Sequence, residues 1–216
     1  MSGPKRKGPF AFLRGAEAQE SAGDPDLPAA MHPIEFSQLE AIYAAVAPRR
    51  VVEWGSGGST KAVPARFDCI ERYVSVEHNA NWHARVSGKV SDDRVTLLLQ
   101  PPAAHDPEPE MFAGRKGQIR PEYVEWTNRC EEDRSVLVEY VEAPSQHVDA
   151  CDLAFIDGRA RNHCIPFAWA LLRAGGVLVV HDAQRDLYRP ALQSLGPAPR
   201  WLDPWVRGQI CIVRKD

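Results

Sequence analysis

Short apolar runs alternate along this chain with segments whose apolar residues recur at the spacing of a helix. An apolar run of about five residues is typical of a buried strand, and strands that alternate with helices are typical of parallel pairing. The pattern therefore predicts an α/β fold with a mostly parallel sheet and helices on both faces. The predicted strands span residues 50–54, 73–77, 95–100, 153–157 and 177–182. The predicted helices between them span residues 59–67, 79–90 and 162–172.

Further elements are predicted on either side of this core pattern. A capping-box pattern at Ser37–Glu40 predicts a helix before the first strand. Residues 136–141 are largely apolar and predict an additional strand, and residues 187–195 predict a short helix. At the end of the chain, residues 200–206 and 209–213 are predicted to close the sheet as an antiparallel pair.

Two segments without regular periodicity define the expected domain organisation. Residues 1–32 are rich in glycine, proline, alanine and charge, and we expect a flexible arm that is either loosely ordered or folded over a site when ligand is present. Residues 33–216 are expected to form a single domain. Within it, residues 101–134 are polar and rich in proline, and an insertion on the carboxyl side of a strand commonly shapes a ligand site.

Composition narrows the range of partners. The hydrophobic share of 44% can supply a core, whereas the net charge of -3 gives no general attraction to nucleic acid or to a membrane surface. The five cysteines are an odd number without a C-x-x-C pair, which favours free thiols in a reducing compartment. The basic start of the chain lacks the apolar region of a secretory signal. We therefore expect a cytoplasmic monomer or homodimer without nucleic-acid or membrane partners.

Residues 51–60 carry the strongest chemical signal. The first predicted strand ends near the acidic Glu53, and a glycine-rich turn then leads into a helix. Such a turn presents a carboxylate and several backbone N–H groups around one cavity. A dinucleotide-binding fingerprint requires G-x-G-x-x-G, and Thr60 stands at the position of its third glycine. The turn therefore suits a ligand with an amine, a carboxylate and a ribose better than it suits a pyrophosphate.

Two more acids end later strands. Glu77 lies about twenty residues after the turn, where an ionised carboxylate can accept hydrogen bonds from both ribose hydroxyls. His78 beside it is a candidate for covering an adenine ring. Asp157 ends the run 153–157 and could contact an amine, orient an acceptor, bind a metal or take a proton. The alternative for Glu77 is a surface acid, and for Asp157 an acid that caps the next helix.

His181 and Asp182 are adjacent at the end of the last apolar run. Neighbouring side chains on a strand point to opposite faces, so both can line one cleft only where the strand has already ended. Open α/β sheets bind ligands at this carboxyl end. A histidine with an ordinary pKa of about 6.5 is a natural general base for a hydroxyl or an amine. A structural histidine that donates to a loop carbonyl is the alternative.

Taken together, the E-x-G-x-G turn, Glu77 and Asp157 resemble the class I S-adenosylmethionine-dependent methyltransferases, over about residues 33–213. The resemblance implies a Rossmann-like sheet of seven strands with an antiparallel last strand, and S-adenosyl-L-methionine as the methyl donor. We expect Asp157, His181 and Asp182 to lie around the transferred methyl group as catalytic residues. The cofactor-binding residues that the resemblance implies are Glu53, Gly55, Ser56, Gly57, Gly58, Ser59, Thr60, Glu77, His78 and Asp157.

Asp157 and Asp182 also resemble the divalent-metal site of catechol and caffeoyl-CoA type O-methyltransferases, in which acids end the same two strands. In that family an asparagine directly follows the second acid, and Ala183 stands there in this chain. A divalent metal is therefore an open alternative, and we assign no metal ligands. The run at 181–185 is also similar, over a short stretch, to sugar O-methyltransferases of the glucuronoxylan type.

These features predict a methyltransferase that acts on a small-molecule acceptor by in-line transfer, at a hydroxyl in preference to an amine. Three other functions stay open at the level of sequence. They are an aminopropyltransferase-like enzyme that uses the decarboxylated cofactor, a non-catalytic cofactor-binding subunit, and an NAD-binding oxidoreductase. The absence of a third glycine at Thr60 disfavours the last of these.

Overall fold

The computed structural model describes residues 27, 31–113, 118–204 and 208–216, and these form the predicted α/β fold. The strands are β1 (Arg50–Trp54), β2 (Arg72–Glu77), β3 (Val95–Leu99), β4 (Phe112–Ala113), β5 (Gln118–Ile119), β6 (Cys151–Ile156), β7 (Leu172–Val180), β8 (Arg200–Trp201) and β9 (Cys211–Arg214). The helices are α1 (Pro33–Val46), α2 (Gly58–Arg66), α3 (Ala80–Ser87), α4 (Pro121–Glu132), α5 (Val138–Glu142), α6 (Arg161–Leu171) and α7 (Arg189–Gln193).

Seven of the strands form one mixed sheet in the order β3-β2-β1-β6-β7-β9-β8, and β4 pairs with β5 separately. Strands β1, β2, β3, β6 and β7 are parallel to one another, and β9 runs antiparallel to both β7 and β8. The prediction of a mostly parallel, Rossmann-like sheet with an antiparallel terminal pair is confirmed.

The register brings three strand ends to one edge of the sheet. Trp54, the last residue of β1, pairs with Val76 of β2 on one side and with Ile156 of β6 on the other. Ile156 in turn pairs with Val180, the last residue of β7. The residues that follow these strands therefore lie side by side at the carboxyl edge, although they are far apart in the chain.

Alternating side chains of the strands bury two cores, one on each face of the sheet. Val51 of β1 packs with Phe36, Leu39 and Tyr43 of α1 on one face. Val52 packs on the other face, in a larger cluster to which α4, α5, α6 and α7 contribute. Because strand residues alternate in direction, a single apolar strand can supply both cores. This explains why β1 and β6 are apolar nearly throughout.

Helix α1 begins earlier than its predicted capping box. Its N-cap is His32, whose ring accepts a hydrogen bond from the N–H of Ile34, and Glu35 reaches back to the N–H of His32. Ser37 instead lies within the helix and donates to the carbonyl of Pro33 at 3.0 Å. The predicted start at Ser37 is therefore wrong, because a histidine occupies the cap that Ser, Thr, Asp or Asn usually fills.

The strand predicted over residues 136–141 is also wrong. This segment forms a 3-10 turn at Arg134–Leu137 followed by α5. Val136, Leu137, Tyr140 and Val141 are buried, and a spacing of four between members of this set places them on one face of a helical segment. A short apolar run does not distinguish a strand from a buried helical turn.

The insertion at 101–134 contains the hairpin of β4 and β5 and the helix α4. The predicted terminal pair is present as β8 and β9, in shorter form. Residues 114–117 and 205–207 lie outside the described residues, as does the predicted arm except for residues 27, 31 and 32. Among the described residues, no helix is both long and apolar enough to span a membrane.

Candidate functional site

The glycine turn follows β1 and rests against the end of β6. Gly55 has a φ of +97°, in the left-handed region that favours glycine, and its N–H donates to the carbonyl of Val76 at 2.9 Å. A Cβ on Gly55 would lie 2.6 Å from the backbone of Gly158. A Cβ on Gly57, in contrast, would meet no atom of the described residues within 4 Å. The turn is therefore closed on the side of β6 and open at Gly57.

Behind the turn, the buried carboxylate of Glu53 accepts hydrogen bonds from three hydroxyl groups. Ser59 donates at 2.5 Å, Thr60 at 2.6 Å and Ser75 at 2.7 Å. The Thr60 hydroxyl also accepts from the N–H of Gly57 at 2.8 Å. The residue that replaces the third glycine thus ties the strand end, the turn and α2 together. Since Glu53 is fully buried, its carboxylate organises the turn from behind.

Burial raises the pKa of Glu53 to about 7, although the three hydroxyl donors favour its charged form. Ser56 joins the same network, with its Oγ 2.7 Å from the Oγ of Ser75. Sequence reasoning did not identify Ser75. Its only signal in the sequence is a hydroxyl residue between two valines in a buried strand. That signal becomes informative only once β2 is known to pair with β1, which places Ser75 beside Glu53.

The acid at the end of β2 is held by the backbone that follows it. The Oε1 atom of Glu77 accepts from the N–H of His78 at 2.9 Å and from the N–H of Asn79 at 2.8 Å. His78 is buried, with its ring nitrogens 2.9 Å from Glu77 and 3.6 Å from Glu108. Burial lowers the pKa of His78, but Glu108 and Glu77 outweigh it and the net shift is upward. One face of the ring stacks on Trp126 at 5.7 Å between centroids, so the insertion closes over this end of the sheet.

Trp82 of α3 reaches back to the glycine turn. Its indole N–H donates to the carbonyl of Ser56 at 2.6 Å, and the guanidinium of Arg85 lies over its ring at 5.4 Å. The turn is therefore anchored from two sides, by the Glu53 network and by this indole. Helical spacing alone does not distinguish Trp82 from a residue that only packs.

His181 is held between two carboxylates from opposite parts of the chain. Its Nδ1 lies 2.7 Å from Oδ1 of Asp157, and its Nε2 lies 3.3 Å from Oε2 of Glu35. Glu35 is buried, and its Oε2 also accepts from the N–H of His32 at 2.9 Å. Since β7 ends at Val180, His181 lies beyond the strand, which is the condition under which it and Asp182 can share one cleft.

The surroundings of His181 oppose the expected role of general base. Burial lowers its pKa, but Asp157 and Glu35 outweigh this effect and raise the pKa of His181 to about 10. The ring is therefore protonated at neutral pH and donates to both carboxylates, so it has no free lone pair with which to take a proton. The side chain of Asp157 is 16% exposed and that of His181 only 5%. Asp157 is thus the member of the pair that is more open to solvent.

Asp182 has a φ of +55° and points toward two arginines. Its carboxylate lies 2.8 Å from Arg185 and 3.6 Å from Arg161, which also lies 3.3 Å from Asp157. Burial opposes its charge, but Arg161, then His181 and Arg185, lower the pKa of Asp182 to about 2. Both acids therefore already have cationic partners. Within the described part of the chain, no group of three or more His, Cys, Asp or Glu side chains is arranged to hold a metal ion.

Several residues of the site come from segments that carry no recognisable motif. Glu35 is separated from His181 by 146 positions in the chain. Glu108, Tyr123 and Trp126 come from the insertion that sequence reasoning associated with a ligand site, although it did not identify these side chains. Only the folded topology brings them to the carboxyl edge.

The fold is that of class I S-adenosylmethionine-dependent methyltransferases, as three solved structures illustrate. A putative O-methyltransferase from Klebsiella pneumoniae shares 14% identity at a TM-score of 0.59, over 90% of this chain and 91% of the other. Cofactor-bound Rv0187 from MTB shares 20% identity at a TM-score of 0.56, over 100% of both chains. The O-methyltransferase TomG from Streptomyces achromogenes, in complex with SAM, shares 11% identity at a TM-score of 0.50, over 87% and 82%.

At these identities the likeness defines the fold and not the reaction. No family model and no curated protein sequence matches the chain.

Proposed function

We propose that this protein is a methyltransferase that uses S-adenosyl-L-methionine and acts on a hydroxyl of a small-molecule acceptor. The observation that carries this proposal is the position of two acids on either side of the glycine turn. Glu77 ends β2 and Asp157 follows β6, and these strands are the two neighbours of β1. One cofactor lying across the turn would meet both acids.

The residues at this edge fit the parts of that cofactor. The open side of the turn at Gly57 leaves its backbone accessible, and the first N–H groups of α2 have no partner within the helix and suit a carboxylate. Glu77 would accept hydrogen bonds from the ribose hydroxyls, and Asp157 would hold the amino group. Glu53 would act indirectly, because its carboxylate is engaged by Ser59, Thr60 and Ser75.

When bound, the cofactor supplies an electrophilic methyl group on a sulfonium. The protein must then hold the acceptor oxygen in line with that methyl group, exclude water and remove the hydroxyl proton. We assign contact with the acceptor to Asp157, since it is the more exposed member of its pair. His181 and Glu35 would position Asp157 from behind, and Asp182 would hold Arg161 in place. TomG, which this chain resembles in fold, is in complex with SAM, and this supports SAM as the methyl donor.

Calorimetric titration with S-adenosylhomocysteine and, separately, with NAD tests the proposal. We expect a micromolar dissociation constant for S-adenosylhomocysteine and no binding of NAD. An Asp157→Asn variant should weaken this binding, because it removes the charge that holds the amino group, and should lose turnover once an acceptor is found. Absence of S-adenosylhomocysteine binding, or tighter binding of NAD, would contradict the proposal.

A further inference from the structure

Two arginines follow Asp157 in the loop after β6, and their surroundings differ. Arg161 is buried and saturated: it donates to the carbonyls of Gly158, His181 and Asp157. It also pairs with the carboxylates of Asp157 and Asp182 and lies over the ring of Tyr188. Its charge is therefore compensated within the protein, and it serves to hold the ends of β6 and β7 together.

Arg159 lacks such compensation. Its Nη2 donates to the phenol of Tyr123 at 2.8 Å, and its guanidinium lies over the same ring at 5.7 Å. The Nε atom is buried and has no hydrogen-bond partner. Among the described residues, no carboxylate lies within ion-pair distance of Arg159, and Glu108 is an acid that it influences from further away. The partner of this cation is a neutral phenol.

A sheltered cation without an anionic partner is costly, and such charges in proteins are normally paired. As a whole residue, Arg159 keeps partial exposure to solvent, although its Nε atom is buried. The residue is therefore open to a ligand in part. The planar guanidinium presents neighbouring N–H groups that match the two oxygens of a carboxylate or phosphate. The Nε–H of Arg159, which has no hydrogen-bond partner, is one of these neighbouring N–H groups, which together form a two-pronged fork.

We propose that the methyl acceptor carries a carboxylate or phosphate group, and that Arg159 is the residue that binds it. This inference rests on the proposed function, because it describes the acceptor of that reaction. Asp157 and Arg159 are two residues apart and oppositely charged. The anionic group of the acceptor would lie against Arg159, away from Asp157, and this would direct the hydroxyl toward Asp157 and the methyl group. Tyr123 of α4 would make the insertion part of the specificity site.

The test uses protein saturated with S-adenosylhomocysteine and titrated with phenyl phosphate, benzoate and the neutral analogue benzyl alcohol. Nuclear magnetic resonance or calorimetry would give the three affinities. We expect the wild type to bind at least one of the two anions about tenfold more tightly than the alcohol. Arg159→Met should abolish this preference and leave the affinity for S-adenosylhomocysteine within about threefold. Arg159→Lys, which keeps the charge without the fork, should lose part of the preference.

Arg49→Met is the matched control. It removes the same charge at the opposite edge of the sheet, where Arg49 is exposed and pairs with Glu71, and it should leave all three affinities unchanged. The inference is overturned if the wild type does not prefer either anion, or if Arg159→Met and Arg159→Lys both keep the wild-type preference. Failure of S-adenosylhomocysteine to bind the wild type would instead contradict the proposed function, so the two failures are distinguishable.

Discussion

Glu53 and His181 are both buried at the carboxyl edge, and the pKa of each is raised, with opposite consequences. Burial raises the pKa of Glu53 to about 7 and so favours its neutral form. Asp157 and Glu35, acting against burial, raise the pKa of His181 to about 10 and so favour its charged form. The first group is sensitive to pH near neutrality, whereas the second is a fixed cation there. The pH dependence of the free energy of unfolding above neutral pH should therefore reflect the proton held by His181.

A His181→Gln variant tests this charge state. The folded protein holds a proton on His181 that the unfolded chain releases above its ordinary pKa of about 6.5. This contribution to stability is complete below about pH 6.5 and is lost as the pH rises toward 10. Between pH 7 and 9, the free energy of unfolding of the wild type should fall relative to the variant, by at most about 1.4 kcal/mol per pH unit. Urea unfolding at three pH values measures this, and parallel pH profiles would contradict it.

Thr60 links the buried acid to the turn, and Thr60→Val removes that link with little change in shape. Loss of the hydroxyl leaves the Gly57 N–H without a partner and leaves Oε2 of Glu53 with Ser75 as its remaining donor, so we expect a loss of about 1–3 kcal/mol in stability. Affinity for S-adenosylhomocysteine should fall with it, because the turn loses its anchor. Thr60→Ser keeps the hydroxyl and is the control. Equal stability of Thr60→Val and Thr60→Ser in denaturant titrations would show that this bond is not important.

Single residues were predictable from sequence where they follow an apolar run directly, as Glu77 and Asp157 do. They could be identified as candidates from the single expectation that parallel strands end at a common edge of the sheet. The charge state of His181 was not predictable, because its pKa is set by burial and by Asp157 together with Glu35, which is distant in the chain and lies on a helix whose start was predicted incorrectly. The role of Glu53 depends on Ser75 in the same way.

At the scale of elements, the turn between β1 and α2 and the loop after β6 pack backbone to backbone. A Cβ on Gly158 would lie 2.0 Å from the hydroxyl of Tyr140 and 3.0 Å from Gly55. The position of Gly57 is open by comparison. Gly55 and Gly57 are therefore not equivalent, although the sequence pattern presents them as one motif.

Alanine substitutions should separate the two kinds of glycine. Gly158→Ala should destabilise the protein by about 2–4 kcal/mol, because the new methyl group overlaps Tyr140 and Gly55. Adding Tyr140→Phe removes the nearest atom and should recover part of this loss. Gly57→Ala should change stability by less than about 1 kcal/mol and weaken S-adenosylhomocysteine binding, since its methyl group enters the open side of the turn. The reverse ranking in thermal unfolding would contradict this account.

Elements were predicted well where periodicity was unambiguous, as for β2, β6 and α6. The segment 136–141 was predicted incorrectly, because a short buried apolar run is compatible with either a strand or helical turns. Residues of α4 and the β4–β5 hairpin lie in the polar insertion, where sequence supported only a general expectation of a ligand site. The packing of Trp126 of α4 on His78 is a tertiary effect that no local pattern encodes.

At the scale of the whole molecule, the amino edge and the carboxyl edge of the sheet have different roles. At the amino edge, the carboxylate of Asp152 accepts from the N–H groups of Arg49 and Arg50 at 2.8 and 2.7 Å and pairs with Arg173. These contacts join β1 to β6 far from the glycine turn. The carboxyl edge instead gathers the acids, the turn and Arg159.

An Asp152→Ala variant tests this division. It should lower the free energy of unfolding by about 1–3 kcal/mol, because two backbone N–H groups lose their acceptor. The affinity for S-adenosylhomocysteine should stay within about threefold of the wild type below the melting temperature. A large loss of affinity in an otherwise folded variant would show that the two edges are coupled.

The central claim is that the carboxyl edge of β1, β2 and β6 binds the methyl donor. A crystal structure of the complex with S-adenosylhomocysteine tests it most directly. We predict electron density for the ligand across residues 55–58, with its ribose hydroxyls on Glu77 and its amino group on Asp157. Density for the ligand at any other part of the surface, or a complex in which Glu77 and Asp157 do not contact it, would contradict the account.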